Sequence, residues 1–181
     1  MAFALYAKGG KIVLRQVSKY SDGIGEWTGR TVSWLIWVVM AFCVFEVIAR
    51  RFFNAPHIWA YDVTAMFYAV HFMLLGGYTL LKQGHTSIDI LSVRFSMKTQ
   101  ALLQIVTYLI FFFPFMIILF WTGSKYALSS WEIMERTSVG VMYVSPIMKT
   151  AVPIAALLLF LQGVSEMIRL VLFVKGDKFD D

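Results

Sequence analysis

The side chains that could do chemistry in this chain are a few charged groups inside or beside long apolar stretches. Glu46 precedes Arg50 by four residues, the order that favours an ion pair along one face of a helix. A charge at membrane depth costs roughly 2.5–3.5 kcal/mol on insertion scales, so each one needs a partner or a function. Three interpretations stay open for Glu46: a pair within its own helix, a contact with a partner protein, and a carboxylate that couples transport to protons.

Further polar groups lie near the ends of the apolar stretches. Asp62 follows Trp59 at the start of one stretch, where a carboxylate favours the N-terminus of a helix, so we interpret it as a capping residue. Glu166 and Arg169 are three residues apart and predict a second helical pair. Gln162 lies one turn before them, and an amide inside a membrane span usually joins two helices.

Histidine and cysteine supply the remaining candidate ligands. His57, His71 and His85 are each 14 residues apart, about four helical turns, a spacing that haem-binding bundles use. Turn residues beside His57 and His85 place these two outside the span, so we expect a hydrogen-bonded, buried His71 and no haem. Cys43 is the single cysteine, and we interpret it as a small packing residue. The sequence has no nucleotide loop, catalytic triad or multi-cysteine metal motif, so we expect no enzyme activity.

The elements that position these groups follow from an unusually apolar composition. Of the 181 residues, 59% are apolar and 15% are charged, against roughly a quarter charged in a soluble domain. The apolar residues form blocks of about 20, the length at which a helix spans a hydrocarbon core of ~30 Å. The sequence therefore predicts an all-α integral membrane protein with four transmembrane helices, at about 31–49, 59–81, 101–123 and 149–172.

The predicted organisation has a basic N-terminal segment (1–30), a four-helix membrane domain (31–172) and a short tail (173–181). Residues 11–20 fit an amphipathic helix at the membrane surface and equally a frayed basic tail, and both interpretations stay open. The 82–100 loop has apolar residues at helical spacing, which predicts a short interfacial helix. We expect no cleaved signal peptide, because no short apolar region with a cleavage site precedes the first basic residues.

The distribution of lysine and arginine predicts the orientation in the membrane. With the N-terminus inside, eleven basic residues lie on the inner side and five on the outer side, which accounts for all 16. Because the positive side faces the cytoplasm, both termini are expected there. The net charge of +5 reflects this bias, and without a separate basic domain we expect no nucleic-acid partner.

Two motifs stand at the ends of the spans. RRFFNAPHIWAYD (50–62) is similar to the pattern Arg-Tyr-x-Phe-Asn … Trp-x-x-Glu, with Arg51 at the tyrosine position and Asp62 at the glutamate position. Its matching residues are Arg50, Phe53, Asn54 and Trp59. GGYTLLKQGHTSIDIL (76–91) is similar to Gly-His-x-x-Val-Asp, matched by Gly84, His85 and Asp89. Together these motifs resemble the small membrane subunit of tripartite ATP-independent periplasmic (TRAP) transporters.

The second half resembles one branch of that family, the branch labelled for mannitol, chloroaromatic and 2-oxo-monocarboxylate uptake. The residues that match this branch are Ser130, Trp131, Glu135, Ser138, Lys149, Pro153, Leu157, Leu158, Gln162, Gly163, Glu166 and Arg169. The resemblance covers about 30–172, and its motifs occur in order along the four spans.

The resemblance implies a scaffold subunit in a bacterial inner membrane, surrounded by phospholipid. Such a subunit packs against a large multi-span subunit, which carries the substrate and sodium sites and moves as an elevator, while a periplasmic binding protein delivers an organic acid. We therefore expect sodium-driven symport by the complex and no cofactor in this chain. We also expect Arg50, Arg51 and the 124–148 segment to face the large subunit or the docked binding protein.

Other functions stay open on the sequence alone. A stand-alone four-span transporter could use Glu46 for proton coupling, although Arg50 four residues later argues for a position near the interface. A membrane anchor of a redox complex and a generic assembly factor are further alternatives.

Overall fold

A computed structural model gives the structure of residues 2–82, 96–137 and 143–175, with side chains described from residue 16 onward. All regular elements in these ranges are helical, which confirms the predicted all-α fold. The helices are α1 (Ala2–Ser33), α2 (Leu35–Phe52), α3 (Ile58–Leu81), α4 (Met97–Thr107), α5 (Phe113–Glu132) and α6 (Ser145–Val174). Four stretches are long and apolar enough to cross a membrane: Gln16–Phe52, Ile58–Leu81, Met97–Glu132 and Ser145–Val174.

The first span is longer than the sequence predicted. α1 ends at Ser33, and α2 continues almost directly after Trp34, so the apolar block at 31–49 is only the second half of a 37-residue stretch. α1 packs against α3 and α6. The helix passes through residue 30 without a break, because basic side chains lower the hydropathy there without interrupting the backbone hydrogen bonds.

The third span contains one irregular turn. Pro114 has no backbone N–H, so it cannot complete the hydrogen-bond ladder of an α-helix. A π-helical turn, Tyr108–Phe112, ends two residues before it and joins α4 to α5. At the other end, Ser96 caps α4 by accepting a hydrogen bond from the Thr99 N–H at 3.4 Å. This cap starts the helix at residue 97, one turn before the predicted start at about 101.

α6 is the central helix of the bundle and packs against α1, α3, α4 and α5, whereas α2 packs mainly on α3. Glycines let the backbones approach closely around it. A Cβ added at Gly123 of α5 would lie 3.0 Å from Val152 Cγ1, and one added at Gly77 of α3 would lie 3.3 Å from Leu158 Cβ. α2 therefore stands at the edge of the bundle, with much of its surface exposed.

Two further predictions concern the loops and the orientation. The interfacial helix predicted in the 82–100 loop, with His85 and Asp89, falls on residues 83–95 and so lies outside the described residues. The orientation with both termini in the cytoplasm stays a prediction. We call the end of the bundle with the 53–57 turn the turn end, which is periplasmic in that orientation, and the opposite end the termini end.

Candidate functional site

Glu46 closes the turn between α2 and α3. Its Oε1 accepts hydrogen bonds from Arg50 Nη2 at 2.9 Å and from the backbone N–H of His57 at 3.1 Å. His57 is the N-cap of α3, so the Glu46 carboxylate satisfies a backbone donor where the next helix begins. The ion pair predicted from the four-residue spacing is present, and the same carboxylate also fixes the geometry of the turn.

The turn itself depends on Asn54, which has a φ of 52°, a left-handed conformation that asparagine tolerates better than most residues. Trp59 lies directly after the turn, and its ring centroid is 5.7 Å from the His57 ring and 6.4 Å from the Phe45 ring. Arg51 is exposed at the end of α2. The motif residues of 50–62 thus lie together at the turn end.

Asp62 does not cap α3, which corrects the sequence-based interpretation. α3 begins at Ile58, so Asp62 lies in the second turn of the helix, where its side chain points into the protein and is 2% exposed. Its Oδ2 accepts a hydrogen bond from Thr137 Oγ1 at 2.6 Å. Asp62 therefore connects α3 to the segment that follows α5.

The end of α5 positions Glu135. The Met134 N–H donates to the Trp131 carbonyl at 3.2 Å and the Glu135 N–H to the Ser130 carbonyl at 3.1 Å, the two hydrogen bonds of a Schellman motif. Met134 takes the left-handed position of that motif, with a φ of 45°. The motif turns the chain back over α5, so that Glu135 Oε2 accepts a hydrogen bond from Ser130 Oγ at 2.7 Å.

Glu135 also forms an ion pair with Lys149 of α6. The Lys149 ammonium, followed by the Ser130 hydroxyl, holds the pKa of Glu135 below its ordinary value. The Lys149 Nζ lies 4.0 Å from the centroid of the Tyr126 ring, and Trp131 Nε1 donates to Thr150 Oγ1 at 2.9 Å. The contacts of Trp131, Glu135 and Lys149 form what we call the α5–α6 clamp, and three predicted motif residues meet in it.

A row of polar side chains, the α1–α6 seam, connects α1 to α6 towards the termini end. Ser18 Oγ lies 2.7 Å from Ser165 Oγ, and Ser21 Oγ donates to the Leu161 carbonyl at 2.8 Å. Gln162 Nε2 donates to the Ser21 carbonyl at 2.6 Å. The amide of Gln162 thus joins two helices, as its position in the span predicted.

Asp22 is the centre of the seam, although it was not among the site residues predicted from the sequence. Its Oδ2 accepts from Arg169 Nη2 at 2.5 Å, and its Oδ1 accepts from Ser165 Oγ at 2.7 Å. Arg169 Nη1 lies farther from Glu166 Oε2, at 3.8 Å, so the predicted pair along α6 is longer than the pair with Asp22. The available signal was the spacing of Ser18, Asp22 and Gly25, which lie on one face of a helix and are small or polar.

His71 and Cys43 have different environments. His71 Nδ1 lies 2.9 Å from the Val32 carbonyl, and because a carbonyl only accepts hydrogen bonds, Nδ1 carries the proton and donates. The predicted hydrogen bond of His71 is therefore present, whereas the predicted burial is wrong, because the residue is only half-buried. Cys43 is exposed on α2 and is not a buried packing residue, because α2 contacts mainly α3 and leaves this face open. Among the described residues, no group of three or more His, Cys, Asp and Glu side chains is placed to hold a metal ion.

The polar groups at both ends of the bundle thus connect helices of the same chain. Comparison with known proteins gives one family: residues 39–173, from α2 to the end of α6, match the sequence profile described as tripartite ATP-independent periplasmic transporters, DctQ component. No curated protein and no solved structure matches the chain.

Proposed function

The chain belongs to the DctQ component family of tripartite ATP-independent periplasmic transporters, and from this premise we propose that it is the scaffold subunit that holds the large transport subunit in the bacterial inner membrane. The family works as a tripartite system with a large membrane subunit and a periplasmic binding protein. The proposed substrate is an organic acid taken up with sodium, and the sodium sites are assigned to the large subunit.

The scaffold role is supported by the hydrogen-bond partners of the carboxylates, which belong to the same chain. Glu46, Glu135 and Asp22 each accept hydrogen bonds from two donors of their own chain, and each joins two elements of the bundle. A carboxylate that carries a substrate or an ion must exchange partners during each cycle. A carboxylate that joins helices supports a static framework, which is what a large moving subunit requires.

The contacts at the turn end also support the proposed branch of the family. The branch pattern includes Trp131, Glu135 and Lys149, and the fold brings these three into the α5–α6 clamp. On this basis we assign the chain to the branch that takes up mannitol, chloroaromatic acids and 2-oxo-monocarboxylates, with monocarboxylates as the first substrates to test.

The test is reconstitution of the three components in proteoliposomes. The tagged chain is expected to purify with the large subunit, and uptake of a labelled 2-oxo-monocarboxylate is expected only with both membrane subunits, the binding protein and a sodium gradient. Vesicles that lack this chain are the control. Full uptake by the large subunit and binding protein alone would contradict the scaffold role, as would transport by this chain alone.

A further inference from the structure

An open groove of about 740 Å³ lies between α2 and α3 in the half of the bundle near the turn end. Cys43 and Val47 of α2 form one wall, and Tyr61 and Thr64 of α3 form the other. Arg51 lies at the rim. The groove is open because α2 packs mainly on α3, so the outer face of this helix pair has no neighbour within the described chain.

The rim of the groove carries a positive charge. Arg50 is paired with Glu46 at 2.9 Å, whereas Arg51 is exposed and has no hydrogen bond or ion pair with another described residue. An arginine at a helix end near the membrane surface attracts a carboxylate or a phosphate. A partner at this level of the bundle is therefore expected to present a negative group.

A second polar group lies deeper on the same face. Tyr68 is 55% exposed and follows Ile58 by ten residues, which places it ~15 Å along the helix, near the middle of a hydrocarbon core of ~30 Å. Within the described ranges its hydroxyl has no hydrogen-bond partner. In a bilayer core an unsatisfied hydroxyl is costly, because lipid chains offer neither donors nor acceptors.

Two short exposed hydroxyls in the third span avoid this cost. Thr122 Oγ1 donates to the Ile118 carbonyl at 2.7 Å, and Ser124 Oγ donates to the Phe120 carbonyl at 2.6 Å. Each of these short side chains reaches a carbonyl of its own helix, one turn earlier. The phenol of Tyr68 is too long for that contact, so its acceptor must come from a neighbouring molecule.

We propose that the outer face of the α2–α3 pair, with Arg51 at its rim and Tyr68 at mid-depth, is the surface on which a transmembrane helix of the large subunit docks. This inference rests on the proposed function. A phospholipid supplies a phosphate for Arg51, but its acyl chains supply no acceptor at the depth of Tyr68. A protein helix supplies polar groups at both levels. The Tyr68 and Phe72 rings, stacked with centroids 6.3 Å apart, extend the face towards the termini end.

Photo-crosslinking from this face tests the proposal in the full complex. A photoreactive benzoylphenylalanine is placed at Tyr68 or, as the matched control, at Phe115, which is 58% exposed on the third span. Irradiation of membranes that contain all three components is expected to crosslink the Tyr68 variant to the large subunit, with at least tenfold lower yield from the Phe115 variant.

The outcomes separate this proposal from the proposed function. The docking face is wrong if the large subunit purifies with the chain but Tyr68 crosslinks only to lipid. It is also wrong if the Phe115 variant crosslinks to the large subunit with equal or higher yield. In both cases the scaffold function stands. Failure of the large subunit to purify with the unmodified chain would overturn the function itself.

Substitutions that keep the fold provide a second measurement. Arg51→Glu is expected to lower the recovery of the large subunit at least tenfold. Tyr68→Phe removes one hydrogen bond, on average worth about 0.6 kcal/mol within a membrane, and is expected to lower the recovery about threefold. Lys98→Glu is the control for charge reversal, because Lys98 is exposed on α4 at the termini end, away from the groove. Equal losses from Lys98→Glu and Arg51→Glu would contradict the proposal.

Discussion

Asp22 and Arg169 are 147 residues apart in the sequence, yet Asp22 Oδ2 accepts a hydrogen bond from Arg169 Nη2 at 2.5 Å. The side chains are 20% and 32% exposed, so the pair is only partly screened by solvent. Ser165 occupies the other carboxylate oxygen. This contact joins α1 to α6 and stabilises the α1–α6 seam.

Removal of either partner of this pair is expected to lower stability. Asp22→Asn and Arg169→Gln should each lower the free energy of unfolding by about 1–2 kcal/mol, because the remaining partner loses a charge-assisted hydrogen bond in a partly buried place. Thermal unfolding in detergent measures the effect. The control is Arg30→Gln, because Arg30 and Glu26 form an exposed ion pair at 2.8 Å. This variant should lose less than about 0.5 kcal/mol in the free energy of unfolding. Similar losses from all three variants would refute a special role of the seam.

Two glycines of α1 predict opposite effects of the same substitution. A Cβ at Gly29 would overlap the Tyr78 side chain close to its backbone, so Gly29→Ala should destabilise the protein by about 1–3 kcal/mol. A Cβ at Gly23 would meet nothing within 4 Å, so Gly23→Ala should stabilise the helix by about 0.5–1 kcal/mol. Unfolding temperatures of the two variants give the comparison. Stabilisation by Gly29→Ala as well would mean that α1 does not pack on α3 as described.

The left-handed conformation of Met134 predicts a stabilising substitution. Met134 has a φ of 45° and is 55% exposed, so Met134→Gly removes the backbone strain and gives up little packing. We expect a gain of about 0.5–1 kcal/mol in the free energy of unfolding. The control is Ile133→Gly, because φ is −89° there and any residue adopts that angle. Glycine at this position only raises the entropy of the unfolded chain, so this variant should lose stability. Destabilisation by Met134→Gly would disprove the Schellman motif.

The clamp between α5 and α6 should weaken in acid. Because Lys149 and Ser130 hold the pKa of Glu135 below its ordinary value of 4.5, the carboxylate contributes fully above that value. Its contribution is lost as the pH falls through the lowered pKa of the folded protein. The difference in unfolding temperature between wild type and Glu135→Gln should therefore be largest near neutral pH and vanish in strong acid. Glu132→Gln, at an exposed position, is the control. A difference in unfolding temperature between wild type and Glu135→Gln that persists in strong acid would contradict this account.

Glu46 provides a test of the proton-coupling alternative. Glu46→Gln should weaken the turn and lower the unfolding temperature, because a neutral amide oxygen accepts more weakly from Arg50 and from the His57 N–H. Uptake by the assembled three-component system should keep its rate and its pH dependence. Loss of uptake in a complex that still assembles with normal yield would support the alternative in which Glu46 couples transport to protons.

The helices could be predicted because long apolar blocks in a bilayer leave the backbone no other way to satisfy its hydrogen bonds. The start of the first span could not be predicted from the sequence. The hydropathy falls where the basic side chains of α1 begin, although the helix continues. Asp62 was misassigned for a different reason. A carboxylate near a helix start fits capping, and only the tertiary fold shows that Thr137 lies beside it.

The position of the α1–α6 seam also sets the order in which the chain acquires its contacts. Ser21 donates to the carbonyl of Leu161, a residue made 140 positions later. At roughly 5–20 residues per second, the ribosome needs on the order of 7–28 seconds to cover that distance. Throughout this time Ser18, Ser21 and Asp22 show their polar face to the surroundings. The polar face of α1 is therefore covered only after α6 has been made, although α1 precedes the other described helices in the chain.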